Sequence, residues 1–136
     1  MRGFKLRVDL IRNLDKTPHM NQGKFVFSQV TRFLPKRAFD WMVAKYDGDL
    51  YVKHFSCWNQ LLCMMYGQLC GLDSLSDLIT CIRAHKNKFY HLGFGKNVSR
   101  NNLSNSNMKR DYKIYENLFY HLVRESQNIS FHKDKN

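Results

Sequence analysis

Apolar residues recur at helical spacing through most of this chain, and that periodicity constrains its fold more than any other feature. Phe39, Met42, Val43 and Tyr46 follow the i, i+3, i+4, i+7 pattern of one helix face. Alternating apolar and polar positions are scarce, and the best strand candidate, residues 50–55, is short. We therefore predict an all-α fold, a compact, helix-turn-helix-like bundle of about six helices joined by short links.

Turn and capping residues divide the periodic segments into helices. Pro35 starts a second helix, and Asp47-Gly48 ends it. Ser56 is the expected cap of a third helix that Gly71 ends, and Ser74-Leu75-Ser76-Asp77 matches a capping box for the fourth. Residues 86–97 carry two glycines and three aromatic residues, and we predict a loop with aromatics inward and lysines outward.

The apolar stripes identify the expected core. The third helix is apolar nearly all round, which is typical of a central, buried helix. In the first helix the stripe consists of Val26, Val30 and Phe33, with Phe27 and Leu34 offset from it. The other expected inward residues are Trp58, Leu61, Leu62, Met65 and Leu69 in the third helix, Leu75, Leu78, Ile79 and Ile82 in the fourth, and Tyr115, Leu118, Phe119 and Leu122 in the last.

Three segments differ in character along the 136 residues. Residues 1–19 mix charged and apolar residues and end near Thr17-Pro18, just before a second methionine, Met20. We predict a poorly ordered extension over 1–19, a helical domain over 20–126 and a polar tail over 127–136. Asp111 is the expected cap of the last helix.

The charge is strongly positive and unevenly placed. The formal net charge is +11 and the pI about 9.7, a balance that favours a polyanionic partner, with nucleic acid first. Between Arg83 and Lys113 the only acid is Asp111. A basic surface without a specific partner is the alternative. The basic residues of this stretch are Arg83, Lys86, Lys88, Lys96, Arg100, Lys109, Arg110 and Lys113.

The cysteines and the hydropathy pattern narrow the class of protein. Four cysteines form no CxxC pair, and Cys63 and Cys70 lie seven residues apart on an apolar stretch. Buried free thiols in a reducing compartment explain them better than zinc, so we expect no metal and no cofactor. No apolar run reaches the ~20 residues of a membrane span, and no signal peptide is evident. We expect a cytoplasmic protein without a membrane partner.

Residues 97–110 form a polar, basic, Asn-rich stretch. Ser99 is the expected N-cap of a helix whose first turn contains Arg100, Asn101 and Asn102. Arg and Asn bind guanine and adenine edges in the major groove, and recognition helices use their N-terminal residues for this. The alternative is that this stretch is a solvated connector, because its few apolar residues are compatible with a surface segment as well as with a recognition helix. The predicted DNA-contacting residues are Lys86, Lys88, Lys96, Ser99, Arg100, Asn101, Asn102, Asn105, Lys109, Arg110 and Lys113.

Two placements of a helix-turn-helix are open. In one, Gly71-Leu72-Asp73 is the short turn between the third and fourth helices. In the other, the Ser99 helix is the recognition helix and the fourth helix supports it, across a connection of about a dozen residues. We prefer the second because the fourth helix carries Asp77 and few basic residues.

The sequence contains few patterns that are typical of a catalytic site. Asp47 and Asp49 flank Gly48, which is typical of a turn, and Gly93-Phe94-Gly95 lacks the residues of a phosphate-binding loop. A nuclease would need a third acid converging with Asp47 and Asp49. We therefore do not expect an enzyme.

Three stretches carry a family resemblance: MNQGKFVFSQVTRFLP, FDWMVAKYDGDLYVKHFSCWNQLLCMMYGQL and LGFGKNVSRNNLSNSNMKRDYKIYENL. Over roughly Met20 to Arg124 the chain resembles the N-terminal domain of bacterial insertion-sequence transposases of the IS-four family. The resemblance implies a module that binds double-stranded DNA at the ends of an element. In that family the RNase-H-like core with its Asp-Asp-Glu triad follows this domain, so we expect a truncated transposase that cannot cut DNA.

A second class of function stays open. The apolar richness of residues 55–70 is also compatible with a protein-interaction domain that binds itself or a full-length transposase. A large exposed apolar patch would favour that alternative, and a uniformly basic exposed face would favour DNA.

Overall fold

A computed structural model describes residues 26–96 and 98–133, which form seven helices and no strand. The predicted all-α helical bundle is confirmed. The predicted extension over residues 1–19 lies outside the described residues. The helices are α1 (Val26–Arg32), α2 (Lys36–Lys45), α3 (Cys57–Cys70), α4 (Leu75–Ala84), α5 (Lys86–His91), α6 (Arg100–Lys109) and α7 (Lys113–Lys133).

Helix α3 is the centre of the bundle, as its all-round apolar sequence predicts, and eight of its residues are buried. The Ser56 hydroxyl accepts a hydrogen bond from the Asn59 backbone, and the Asn59 side chain accepts one from the Ser56 N–H. Gly71 ends the helix in the left-handed conformation, at φ 60°. Both boundaries are therefore fixed by local chemistry that the sequence displays.

Two apolar clusters share α3. One contains Leu62, Cys63 and Tyr66 of α3, packed with residues of α4, α5 and α6. The other contains Cys57 and Leu61, packed with residues of α2 and α7. Since one helix contributes to both clusters, α4 and α6 are positioned relative to α2 and α7 through α3.

The segment predicted as a loop over residues 86–97 contains the short helix α5. Phe89 is buried, with its ring centroid 4.8 Å from that of Tyr66 and 4.6 Å from that of Phe94. Gly93 and Gly95 then reverse the chain at φ 90° and 80°. Packing of Phe89 and Phe94 into the core orders this segment, whereas Tyr90 remains 48% exposed, so the predicted inward set of aromatics holds for two of the three.

Helix α1 buries a different face from the predicted stripe. Phe27 is 4% exposed, whereas Val26 is 64% exposed and Phe33 is 83% exposed. Leu34 packs against both clusters. The offset pair, Phe27 and Leu34, therefore faces the core. A helix of seven residues is too short for its apolar periodicity to identify the buried face.

Helix α7 begins at Lys113, whose backbone N–H donates to the Asp111 carboxylate at 2.9 Å. It continues to Lys133 through most of the predicted polar tail. Ile114 is fully buried although the predicted stripe omits it, and Phe119, which the stripe includes, is 61% exposed. Every described side chain from Arg124 to Ser130 is exposed, so the second half of α7 extends past the clusters.

Gly48 marks the tightest backbone approach at the α2–α3 connection. A Cβ atom there would lie 2.6 Å from Ile114 Cδ1 and 2.7 Å from Cys57 Sγ. We predict that Gly48→Ala lowers the free energy of unfolding by about 1–3 kcal/mol, because both neighbours are fully buried and must move. Urea denaturation measures this. Ala44→Ser, on the exposed side of α2, is the control, and equal stability of the two variants would contradict the packing account.

Candidate nucleic-acid interface

Helix α6 begins where its sequence predicts. The Ser99 hydroxyl accepts a hydrogen bond from the Asn102 backbone N–H at 3.1 Å, and Arg100 is the first helical residue. Only Leu103 of this helix is buried. The helix packs on α3 and α4, and the Asn107 side chain accepts a hydrogen bond from Gln60 at 2.6 Å. One apolar residue and one amide therefore attach α6 to the bundle.

The outer surface of α6 carries the predicted polar side chains. At about 100° per residue, Asn101, Asn105 and Met108 lie opposite Leu103. Asn101, Asn105, Arg100 and Lys109 are exposed, whereas Asn102 and the capping Ser99 are half-buried. The helix contains no acidic residue. The exposed side chains Arg100, at the first position of the helix, and Asn101, Asn105 and Lys109 are together named the α6 face below.

Four of the predicted lysines are exposed on elements that precede or follow α6 in the chain. Lys86 and Lys88 are exposed on α5, which like α6 contacts α4. Lys96 is exposed just before α6, with its Nζ 5.6 Å from the centre of the Tyr90 ring. Lys113 is exposed at the start of α7. The predicted lysines are thus at the surface, as required of residues that contact phosphate.

Arg110 departs from the predicted set because its guanidinium points into the protein. Its side chain is only 7% exposed. Nε donates to the Gly48 carbonyl at 3.2 Å, Nη1 donates to Gln60 Oε1 at 2.8 Å, and Nη2 donates to the Phe55 carbonyl. Nη2 also lies 3.4 Å from Asp49 Oδ1. The planar fork of arginine satisfies several acceptors at once, so Arg110 is a structural residue and is not part of the α6 face.

A polar network surrounds the Arg110 guanidinium. Gln60 is buried, and its Oε1 also accepts a hydrogen bond from the Tyr115 hydroxyl at 2.7 Å. Asp49 Oδ1 accepts one from the Cys57 backbone N–H at 2.7 Å. The network joins the α2–α3 connection, α3, α6 and α7. The sequence does not predict that Asp49, Gln60 and Tyr115 form a network, since nothing in their local sequence marks them as partners.

Burial keeps the ionisable groups beside this network neutral. The pKa of the Cys57 thiol is raised to about 12, chiefly because the thiol is buried; the Arg110 charge opposes this shift and the Asp49 charge adds to it. Burial likewise raises the pKa of the Tyr115 hydroxyl. Because the Cys57 thiol and the Tyr115 phenol are neutral, Asp49 is the acidic partner of Arg110 in this network.

The described residues contain neither a metal-ligand cluster nor a helix that could span a membrane. Within residues 26–96 and 98–133, no group of three or more His, Cys, Asp or Glu side chains is placed to hold a metal ion. Asp49, one of the acids that a nuclease would require, is engaged with Arg110. None of the described helices has the length and apolar character that crossing a membrane requires.

The Arg110 network yields a stability prediction with a matched control next to it in the chain. Arg110→Met should lower the free energy of unfolding by about 3 kcal/mol, because several buried acceptors lose their donor. Lys109→Met, at an exposed position, should stay within about 0.5 kcal/mol of the wild type. Chemical denaturation with far-UV circular dichroism measures both. Similar losses in the two variants would contradict the assignment of Arg110 to the interior.

Because two thiols are buried, we predict that the free energy of unfolding falls at alkaline pH. The pKa values of Cys57 and Cys63 are raised from 9.0 to about 12 in the folded chain. A raised folded pKa gives stability that is complete below pH 9 and declines as the pH rises from 9 towards 12. Urea midpoints from pH 7.5 to 10.5 should therefore decrease above pH 9. Cys63→Ala should show a shallower decline, and an unchanged slope would contradict this explanation.

The chain matches one known family, and the match covers the first five helices. The family is described as a domain of unknown function, DUF4372, and its sequence profile matches residues 22–95, more than half of the chain. Searches among curated proteins and among solved structures find no match. The matched range includes α1 to α5 and ends before α6. The chain belongs to the DUF4372 family.

Proposed function

We propose that this chain is a DNA-binding module that recognises the ends of an insertion sequence, as the N-terminal part of an IS-four-type transposase does. The observation that carries the proposal is the surface of α6. That helix buries only Leu103 and carries no acid, and it presents Arg100, Asn101 and Asn105 to solvent. A helix that enters the major groove needs such a free, polar and basic surface.

The exposed residues divide into two roles. Arg100, Asn101 and Asn105 contact base edges from the α6 face, because their side chains can form bidentate hydrogen bonds with guanine and adenine. Asn102 is half-buried and contributes at the edge of that face. Phosphate contacts position the duplex without specifying its sequence. The residues proposed for phosphate contacts are Lys86, Lys88, Lys96, Lys109 and Lys113.

The packing of α6 on α4 supports the second of the two helix-turn-helix placements. In that placement α6 enters the groove and α4 supports it, with α5 in the connection between them. The apolar residues Leu78, Ile79 and Ile82 of α4 are buried, which suits a supporting helix.

The transposase part of the proposal rests on the resemblance of residues 20–124 to the IS-four N-terminal domain. Membership of the DUF4372 family supplies no function. In this proposal the module binds DNA but does not cleave it. Strand cleavage requires carboxylates that hold metal ions. Gel-shift assays with and without Mg²⁺ test this directly, because binding without strand cleavage is the expected outcome.

A dimerisation function is the second candidate, and α7 is the observation that favours it. Residues 55–70, which raised this possibility, turn their apolar side chains mainly into the core. However, Phe119 and Tyr120 on α7 are 61% and 57% exposed. Sedimentation of the full chain with and without DNA distinguishes the candidates, since dimers formed through α7 would persist without DNA and would be lost in Phe119→Ser.

Substitutions on the α6 face should separate sequence preference from general affinity. Arg100→Ala should cost about 1–3 kcal/mol on a duplex carrying the terminal inverted repeats of an IS-four element, and less on random duplex. Lys109→Ala should weaken both duplexes alike and reduce the slope of log affinity against log salt by about 0.9. Fluorescence anisotropy at several salt concentrations measures these effects with the full chain.

Arg124→Ala is the matched control, because it removes one positive charge from an exposed position on α7. It should leave sequence preference unchanged and alter affinity little. Equal losses on both duplexes for Arg100→Ala and Lys109→Ala would contradict the division of roles. Equal losses for Arg124→Ala would show that net charge alone determines binding.

A further inference from the structure

The connection from Gly48 to Phe55, here named the clamp loop, exposes five consecutive side chains. Leu50, Tyr51, Val52, Lys53 and His54 are all exposed, and Tyr51 is 94% exposed. Three of the five are large and apolar or aromatic. A monomer that needed this segment only as a link between α2 and α3 would gain nothing by presenting such side chains to water.

The base of the clamp loop is fixed although its tip is exposed. The Arg110 guanidinium donates to the carbonyl of Gly48 at one end and to that of Phe55 at the other. Asp49 near the first end accepts a hydrogen bond from the Cys57 N–H beyond the second. One side chain thus holds both ends together, as in the compact surface loops that frequently carry function.

Tyr51 adopts a backbone conformation that is unfavourable for its residue type. Its φ is +61°, and the Val52 N–H donates to the Asp49 carbonyl at 3.0 Å, so Tyr51 is the third residue of a turn. Turns with positive φ at that position favour glycine. Bulky residues held at positive φ are concentrated at functional sites. Because the Tyr51 side chain is exposed, burial does not compensate for this strain.

Arg110 also places the clamp loop beside α6. It follows Lys109, the last residue of α6, so the same side chain that closes the loop lies at the C-terminal end of the α6 face. The acids near this junction are Asp47, Asp49 and Asp111. Asp49 is paired with Arg110, and Asp111 accepts the Lys113 N–H. Asp47 is exposed and directly precedes the loop, whereas Lys53 lies within its exposed part.

We propose that the clamp loop is a second DNA-contacting element that extends the footprint of the α6 face beyond its C-terminal end. Lys53 contacts a phosphate of the strand that borders the groove occupied by α6, and Tyr51 packs against the adjacent sugars. Arg110 is a positioning residue that fixes the spacing between the two elements without contacting DNA. This inference rests on the DNA-binding function proposed above.

Two loop variants test the proposal in the full chain. Tyr51→Gly should raise the melting temperature, because glycine adopts positive φ without strain, and should weaken binding to the inverted-repeat duplex about three- to tenfold. A stability gain with an affinity loss excludes damage to the fold as the cause. Lys53→Ala should lower affinity and reduce the salt slope by about 0.9. Phe33→Ala, at a position that is 83% exposed after α1, is the control and should bind as the wild type does.

Hydroxyl-radical footprinting then locates the contact. The wild type should protect one continuous stretch, and both loop variants should lose protection at one end of it only. Full protection and wild-type affinity in both loop variants, with weakened binding in Lys109→Ala, would overturn the inference and leave the proposed function standing. Absence of binding by the wild type itself would overturn the proposed function, and the inference with it.

Discussion

The guanidinium of Arg110 connects parts of this chain that are far apart in sequence. It binds the carbonyls of Gly48 and Phe55 and the side chain of Gln60, about fifty to sixty residues away. It also lies between the end of α6 and the start of α7. Arginine suits this position because its planar fork offers five donors in one fixed geometry, whereas lysine offers a single ammonium group.

Apolar packing and the polar network restrain the same region from two sides. Gly48 lies against Ile114 and Cys57, where a Cβ atom would have no room. The backbone carbonyl of Gly48 accepts a hydrogen bond from Arg110. The close approach of the α2–α3 connection to α7 therefore allows the guanidinium to reach both ends of the clamp loop. The position of α6 follows, because Gln60 of α3 binds both Arg110 and Asn107.

The sequence predicted those parts of the fold that depend on local chemistry. Ser56, Ser74 and Ser99 cap helices by accepting backbone hydrogen bonds within three residues, and Gly71 ends α3 in the left-handed conformation. These features are visible in sequence because donor and acceptor are near each other in the chain. The central position of α3 was predictable because its apolar residues surround the helix axis.

The parts that could not be predicted depend on distant partners. Helix α5 is only six residues long and is ordered by contacts of Phe89 with Tyr66 and Phe94. Arg110 belongs to a basic run in sequence, and only the folded chain shows its acceptors. Arg100, Asn101, Asn105 and Lys109 are exposed, and their contacts with DNA stay a prediction.

The most direct test of this account is backbone amide NMR during titration of the full chain with the inverted-repeat duplex. We predict shift changes at the α6 face and the clamp loop tip, with little change around Phe119 and Tyr120. Changes confined to α7, or none at saturating duplex, would contradict the account.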